Sequence, residues 1–232
     1  MMRLEDIAAA ARRTGLAVVG SFHPEEEDKA PGGAETLVLF GADGPDMWEA
    51  FAASPEHADG QAHPMDRWST RVIGALGVEL EAEAFFPFGG PPWHPFQRWA
   101  ERGEGAVASP VQMQATAARG LWTSYRGALA FRERIALPAR VLKNACQDCP
   151  APCLAACPVD AFASGRYDVP HCTAHVQSEA GMACRTGCLV RKACPAGKAL
   201  VLPKAERIFH MDAFLRANGG CSVPACGGLD LV

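Results

Sequence analysis

No stretch of this sequence approaches the roughly 18 consecutive apolar residues of a membrane-spanning helix, so none is expected. Nor does any run rich in lysine and arginine stand out, which argues against a large nucleic-acid footprint. The opening residues, MMRLEDIAAAARRTG, place acids where a secretory signal needs apolar residues, and they carry no cleavage pattern. A cytoplasmic protein is therefore expected. Residues 1–140 contain no internal repeat. Basic charge is scarce there too: residues 140–200 hold seven Lys/Arg against four Asp/Glu in a chain of net charge −4, so the acidic excess lies before residue 140. With 49% hydrophobic and 21% charged residues the chain falls in the ordinary globular class. Its 232 residues suffice for one large domain, or for a main domain plus a small module.

Cysteine, by contrast, is abundant. Ten cysteines occur, eight of them between Cys146 and Cys194. In a reducing compartment such clustering means metal or redox chemistry rather than disulfides.

The first 140 residues read as alternating helices and strands. Residues 3–14 have the spacing of an amphipathic helix that ends at Gly15. Leu16 to Phe22 and residues 35–41 (ETLVLFG) read as buried strands, and Glu25–Asp28 between them as a solvated loop. Pro45 to Ala53 reads as a helix with proline in its first turn, residues 54–64 as a loop, and Met65 to Leu76 as a longer helix. The stretch Phe85–Pro95 (FFPFGGPPWHP) holds too much proline and glycine for a regular element. Helical character resumes from Gln97 to Arg102, and Gly120–Phe131 (GLWTSYRGALAF) has the composition of a strand. The expected fold class is α/β (α+β). The expected domains are residues 1–140, a cysteine module at 141–200 and a tail at 201–232.

The cysteine module has two unequal halves. The first is Cys146-x2-Cys149-x3-Cys153-x3-Cys157-Pro158; the second contains Cys172, Cys184, Cys188 and Cys194-Pro195. Bacterial two-cluster ferredoxins use C-x2-C-x2-C-x3-C-P, and the fourth cysteine of the run ligates the other cluster. Here one extra residue separates Cys149 from Cys153, and the second half is looser still. Eight thiolates nevertheless fill two four-thiolate sites. Zinc also takes four thiolates, but its ribbons pair two C-x2–4-C knuckles, whereas two Cys-Pro endings favour iron–sulfur. Two 4Fe–4S clusters are therefore expected. By the ferredoxin rule, Cys146, Cys149 and Cys153 share one cluster with Cys194, and Cys157 joins Cys172, Cys184 and Cys188 on the other. His171 and His175 flank Cys172 and read as packing residues. Cys221 and Cys226, in the glycine-rich GGCSVPACGG, read as reduced thiols in a loop, with a labile pair, a metal site or substitutes for a missing ligand as the alternatives.

The four–one–three order of cysteines, with Pro170-His-Cys172-Thr-Ala-His-Val-Gln-Ser-Glu179 between the two runs, resembles the ferredoxin-like domain of epoxyqueuosine reductases and corrinoid reductive dehalogenases. The likeness covers about residues 145–196. Upstream, PFGGPP and GLWTSYRGALAF resemble the cobalamin-processing branch of that superfamily. Its flavin-free nitroreductase-like domain cradles a corrinoid. The resemblance implies a nitroreductase-like N-terminal domain binding cobalamin, and a ferredoxin-like module that feeds it electrons from a reductant protein or a small-molecule donor. Corrinoid contacts would then come from Phe88, Gly89, Gly90, Trp93, Trp122 and Tyr125, because glycines admit a flat macrocycle and aromatics cover its face. Tyr125 and Arg126 form a polar pair that could act catalytically. The implied function is an oxidoreductase that reduces cobalt for dealkylation or reductive chemistry. The alternatives are a plain ferredoxin-like electron carrier and a tRNA-modifying reductase of the epoxyqueuosine type. The acidic N-terminal charge balance argues against the latter.

Overall fold

A computed structural model of the chain describes residues 2–200 and 202–219. Cys221 and Cys226 thus lie outside the described residues. The fold is mixed α/β with a small antiparallel sheet. The chain forms two compact units, each assembled from two segments. One comprises residues 1–107 and 123–144, the other residues 108–122 and 145–232. No helix among the described residues is long and apolar enough to cross a membrane.

In the first unit, helix α1 (Leu4–Arg12) buries Ile7, Ala10 and Ala11, the single face that an i, i+3, i+4 spacing produces. Strands β1 (Ala17–Phe22) and β2 (Thr36–Gly41) follow, then helices α2 (Asp46–Ala52), α3 (Pro55–Ala58) and α4 (Pro64–Glu79). Strand β3 (Glu83–Phe85) and helix α5 (Phe96–Glu104) complete the first segment. After a short ribbon of β4 (Val107–Ala108) and β5 (Gln114–Ala115), the chain re-enters the sheet as β6 (Tyr125–Phe131).

The sheet order is β1-β2-β6-β3, every pair antiparallel. β2 is central and buried along its whole length, which explains why its sequence is continuously apolar rather than alternating. Leu37 and Leu39 join Phe96 and Trp99 of α5 in one apolar cluster with Ala128 and Ala130. Alternation sends Val38, Phe40 and Leu129 to the opposite face. On β6, Gly127 leaves room for α4: a methyl group there would meet the Ile73 side chain at 2.8 Å.

Several expectations shift. The stretch 25–28 is not a solvated loop. It forms a single 3₁₀ turn in which Asp28 is 0% exposed. Arg98 donates to its carboxylate at 2.9 Å, Arg102 lies 3.5 Å away, and the Trp99 indole N–H donates to its backbone carbonyl at 2.8 Å. Arginines four residues apart on α5 share one helix face, so a distant helix neutralises a local acidic run. Residues 54–64 contain α3, started by Ser54, whose hydroxyl accepts from the His57 N–H, with Pro55 in the first turn. The strand expected over 120–131 begins only at Tyr125. Residues 120–122 belong instead to a turn, where the Trp122 N–H donates to the Arg119 carbonyl at 3.0 Å.

The second unit is built from short helices: α6 (Pro152–Ala155), α7 (Val169–Gln177), α8 (Met182–Arg185) and α9 (Leu189–Ala193), closed by α10 (Lys204–Ala217). Asp168 caps α7 by accepting from the His171 N–H at 3.0 Å. At the other end of α7, the buried Arg185 guanidinium donates to the Val176 carbonyl at 2.7 Å and also bonds the Gln177 carbonyl, satisfying carbonyls the helix leaves open. Its apolar interior falls into two clusters. Val111, Ala115, Leu121, Ala161, Phe162 and Val190 surround Cys153 and Cys194. Val176 and Leu215 surround Cys184.

Candidate metal centre

The eight cysteines between 146 and 194 are all free thiols, and all lie in the second unit. The loop that carries the first four is bent by residues in the left-handed region, Asp148 at φ +58° and Ala151 at φ +51°, and Asp160 at φ +49° bends the chain just after Cys157. That region is disfavoured for L-residues, less for an aspartate than for an alanine. Such bends turn Cys146, Cys149 and Cys153 inward within a few residues. α9 packs on α6 and carries Cys194 to the same place.

Cys146, Cys149, Cys153 and Cys194 line one small cleft with Ser109, Pro110, Ala115 and Leu121. Burial pushes the Cys146 thiol above its ordinary pKa, and the neighbouring Cys149, Cys194 and Cys153 push it further. Cys153 is raised in the same way, by burial and then by Cys194 and Cys149. Cys157, four residues further on, has different neighbours. Burial raises Cys184, with Cys188, Cys172 and Cys157 adding to the effect. Burial also raises Cys172, with Cys188 and Cys157 adding and a hydrogen bond from Tyr167 opposing. The thiols thus gather in two sets that interleave in sequence. The first is Cys146, Cys149, Cys153 and Cys194; the second is Cys157, Cys172, Cys184 and Cys188. Among the described residues, no group of three or more His, Cys, Asp or Glu side chains is placed to hold a single metal ion.

Three surrounding residues carry no motif that sequence reading could have caught. Tyr167 stacks on Phe162 with ring centroids 4.6 Å apart, and Phe214 of α10 lies parallel at 6.1 Å. Burial, followed by its bond to Cys172, drives the Tyr167 hydroxyl pKa upward, so it stays a donor. Arg191 donates to the Leu121 carbonyl at 2.6 Å and lies 5.9 Å over the Trp122 ring. Its guanidinium loses basicity through burial and regains some from Cys188 and Tyr167. Leu121 lines the cleft of the first set, so Arg191 stands between the two sets. Ser109 is buried, and its hydroxyl has no hydrogen-bond partner. Gly120, at φ +53°, is the point of closest approach between the 116–120 turn and the Cys194 loop. A methyl group there would lie 2.8 Å from the Cys194 sulfur.

The aromatic and glycine positions expected to contact a corrinoid fall in both units, Phe88, Gly89, Gly90, Trp93 and Tyr125 in the first and Trp122 in the second. Phe88 stacks on Phe86 at 5.3 Å, Trp93 is 68% exposed, and a methyl group on Gly90 would meet the Trp93 indole at 2.7 Å. The PFGGPPW loop is therefore folded on itself around Gly90, with Gly89 at φ +82°. Trp122 belongs to the second unit and packs on Arg191. Tyr125 donates to Glu104 at 2.7 Å, and Arg126 donates to the Tyr125 carbonyl at 3.2 Å. A cavity of about 570 Å³ in the first unit is lined by Pro31, Glu79, Glu81, Glu83 and Arg132 among others, and by none of these positions. His171 is exposed and His175 half-buried on α7.

No family model, no curated protein and no solved structure matches this chain.

Proposed function

We propose that the protein is an electron-transfer protein whose second unit holds two 4Fe–4S clusters, one on Cys146, Cys149, Cys153 and Cys194, the other on Cys157, Cys172, Cys184 and Cys188. The observation that carries this reading is the interleaved grouping of the thiols. Cys157 sides with the later cysteines and Cys194 with the earlier ones, which is the crossed ligation of two-cluster ferredoxins. On this reading the second unit is ferredoxin-like.

The surrounding residues fit four thiolates around a cubane, where each sulfur binds its own iron. Thiols held protonated by burial and by one another are poorly suited to stay as free thiolates, and iron would displace their protons. The Ala161 N–H already donates to the Cys157 sulfur at 3.3 Å, the kind of backbone donor that outer-shell contacts to a cluster ligand provide. Tyr167 directs a second donor at Cys172. Arg191 supplies a fixed positive charge between the two sets, offsetting the negative charge that thiolate ligation brings into a buried region. When bound, the clusters supply reversible one-electron transfer. What the chain does is hold the thiolates, stabilise their charge and limit the access of water. The donor would be a reductant protein or small molecule, and a reducing cytoplasm would keep the thiols available for iron.

The nitroreductase-like fold of the first unit and its cobalamin site are what the sequence resemblance implies, and the second unit's iron–sulfur electron transfer stands apart from them. Anaerobic reconstitution with iron and sulfide, followed by metal counting, tests it. About eight irons per chain are expected from two four-iron clusters. Stoichiometric zinc with no iron absorption refutes it.

A further inference from the structure

Ser109 sits in the 108–122 segment, far from every cysteine in sequence, yet it lines the cleft of Cys146, Cys149, Cys153 and Cys194. Its backbone is committed. The N–H donates to the Met113 carbonyl at 2.9 Å, and its carbonyl accepts from the Gln112 N–H at 2.9 Å, closing a tight turn. The Gln112 side chain in turn bonds the Gly165 carbonyl, tying this turn to the loop after Phe162. The residue is only 7% exposed, and its hydroxyl is the one polar group of Ser109 left without a partner. An unpartnered buried hydroxyl costs about 1–3 kcal/mol, so its retention beside a cleft of four thiols calls for an acceptor that arrives with the ligand. The other residues of the lining offer none: Pro110, Ala115, Leu121, Ala145, Ala151, Pro152 and Pro195 have no polar side-chain atom.

Resting on the iron–sulfur reading of this cleft, we infer that Ser109 is a positioning residue whose hydroxyl donates a hydrogen bond to a sulfur of the cluster held by Cys146, Cys149, Cys153 and Cys194, and so raises that cluster's reduction potential. The sign follows from charge. Reduction adds one electron to the cluster, and a donor at sulfur stabilises the more negative state, so the bond raises the potential. Among the described residues, the buried side-chain atoms without partners are those of Ser21, Ser109, Glu206 and Arg207, and of these only Ser109 lines this cleft. The second set has its own donors in Tyr167 and the Ala161 N–H.

The experiment compares wild-type full-length protein with Ser109→Ala and Ser109→Thr. All three are reconstituted anaerobically and titrated with a reductant, with each cluster followed by electron paramagnetic resonance. Ser109→Ala should still bind about eight irons, lower the midpoint of one cluster and leave the other unmoved. Ser109→Thr, which keeps the hydroxyl, should hold the wild-type value. In wild type exchanged into heavy water, a coupled exchangeable deuteron should be seen on the shifted cluster and be absent in Ser109→Ala. Two clusters with both midpoints unchanged in Ser109→Ala overturn the inference while leaving the function standing. Failure of the wild-type chain to take up iron overturns both.

Discussion

Gly120→Ala is the perturbation whose cost the structure allows to be worked out. Gly120 lies at φ +53°, where an L-residue pays about 1–2 kcal/mol. The added methyl group would sit 2.8 Å from the Cys194 sulfur and the Gly197 α-carbon, and nearer still to the Gly197 nitrogen, so the backbone of one turn has to move. Forced overpacking of this kind costs about 1–3 kcal/mol. Restriction of the unfolded chain returns about 0.4–1 kcal/mol, leaving a net loss of about 1–5 kcal/mol. Gly165 is the control. Its φ is +71°, but nothing lies within 4 Å of a methyl group there, so Gly165→Ala should lose only about 1 kcal/mol. Hydrogen exchange of amides in the second unit measures each loss locally, without assuming that two units unfold together. Because the displaced loop carries Cys194, Gly120→Ala should also weaken the iron held by the first cysteine set, and Gly165→Ala should not. Equal and small losses for the two variants would refute the close approach.

Cys157→Ser should remove the cluster of the later cysteines and Cys194→Ser that of the earlier ones, each leaving about four irons per chain. Retention of both clusters in Cys157→Ser, read by iron content and paramagnetic resonance, would show the assignment to be wrong. Cys221→Ser and Cys226→Ser should keep both. Asp28→Asn should destabilise the first unit by about 1.5–3 kcal/mol, the range for hydrogen bonds to a charged group. Because Arg98 and Arg102 are 43% and 30% exposed, they can turn to water, which keeps the loss below that of a fully buried pair. Urea unfolding followed by the tryptophans checks it. Without iron, the buried Cys153 and Cys184 and the half-buried Cys146 and Cys172 thiols have raised pKa values. The folded state then binds protons more tightly than the unfolded one. Stability is full below the ordinary thiol value of 9.0 and falls as pH rises through and above it. Iron-loaded protein should lack that alkaline loss, because its thiols no longer titrate; urea midpoints measured with and without iron across this pH range make the comparison.

The sequence by itself determined what depends on neighbours along the chain. The apolar spacing of Ile7, Ala10 and Ala11, the continuous run of β2 and the cap at Ser54 are local chemistry, although Ser54 was read as loop because a four-residue helix has too short a period to register. The cysteine spacings were legible in the same way, but the left-handed bends at Asp148 and Ala151 between them were not. Tertiary structure decided the rest, because the deciding energies are sums over groups far apart in sequence. Whether Asp28 is solvated depends on two arginines about 70 residues away, and no local pattern reports their arrival. GLWTSYRGALAF looked like one strand, yet residues 120–122 turn against the Cys194 loop while Tyr125–Phe131 pair with β2; composition alone carries no pairing partner. Only the packing of α9 on α6 sets Cys194 beside Cys153, and only the return of segment 108–122 places Ser109 at their cleft. Desolvation has no sequence signature, since a hydroxyl is costly or free according to which residues exclude water from it.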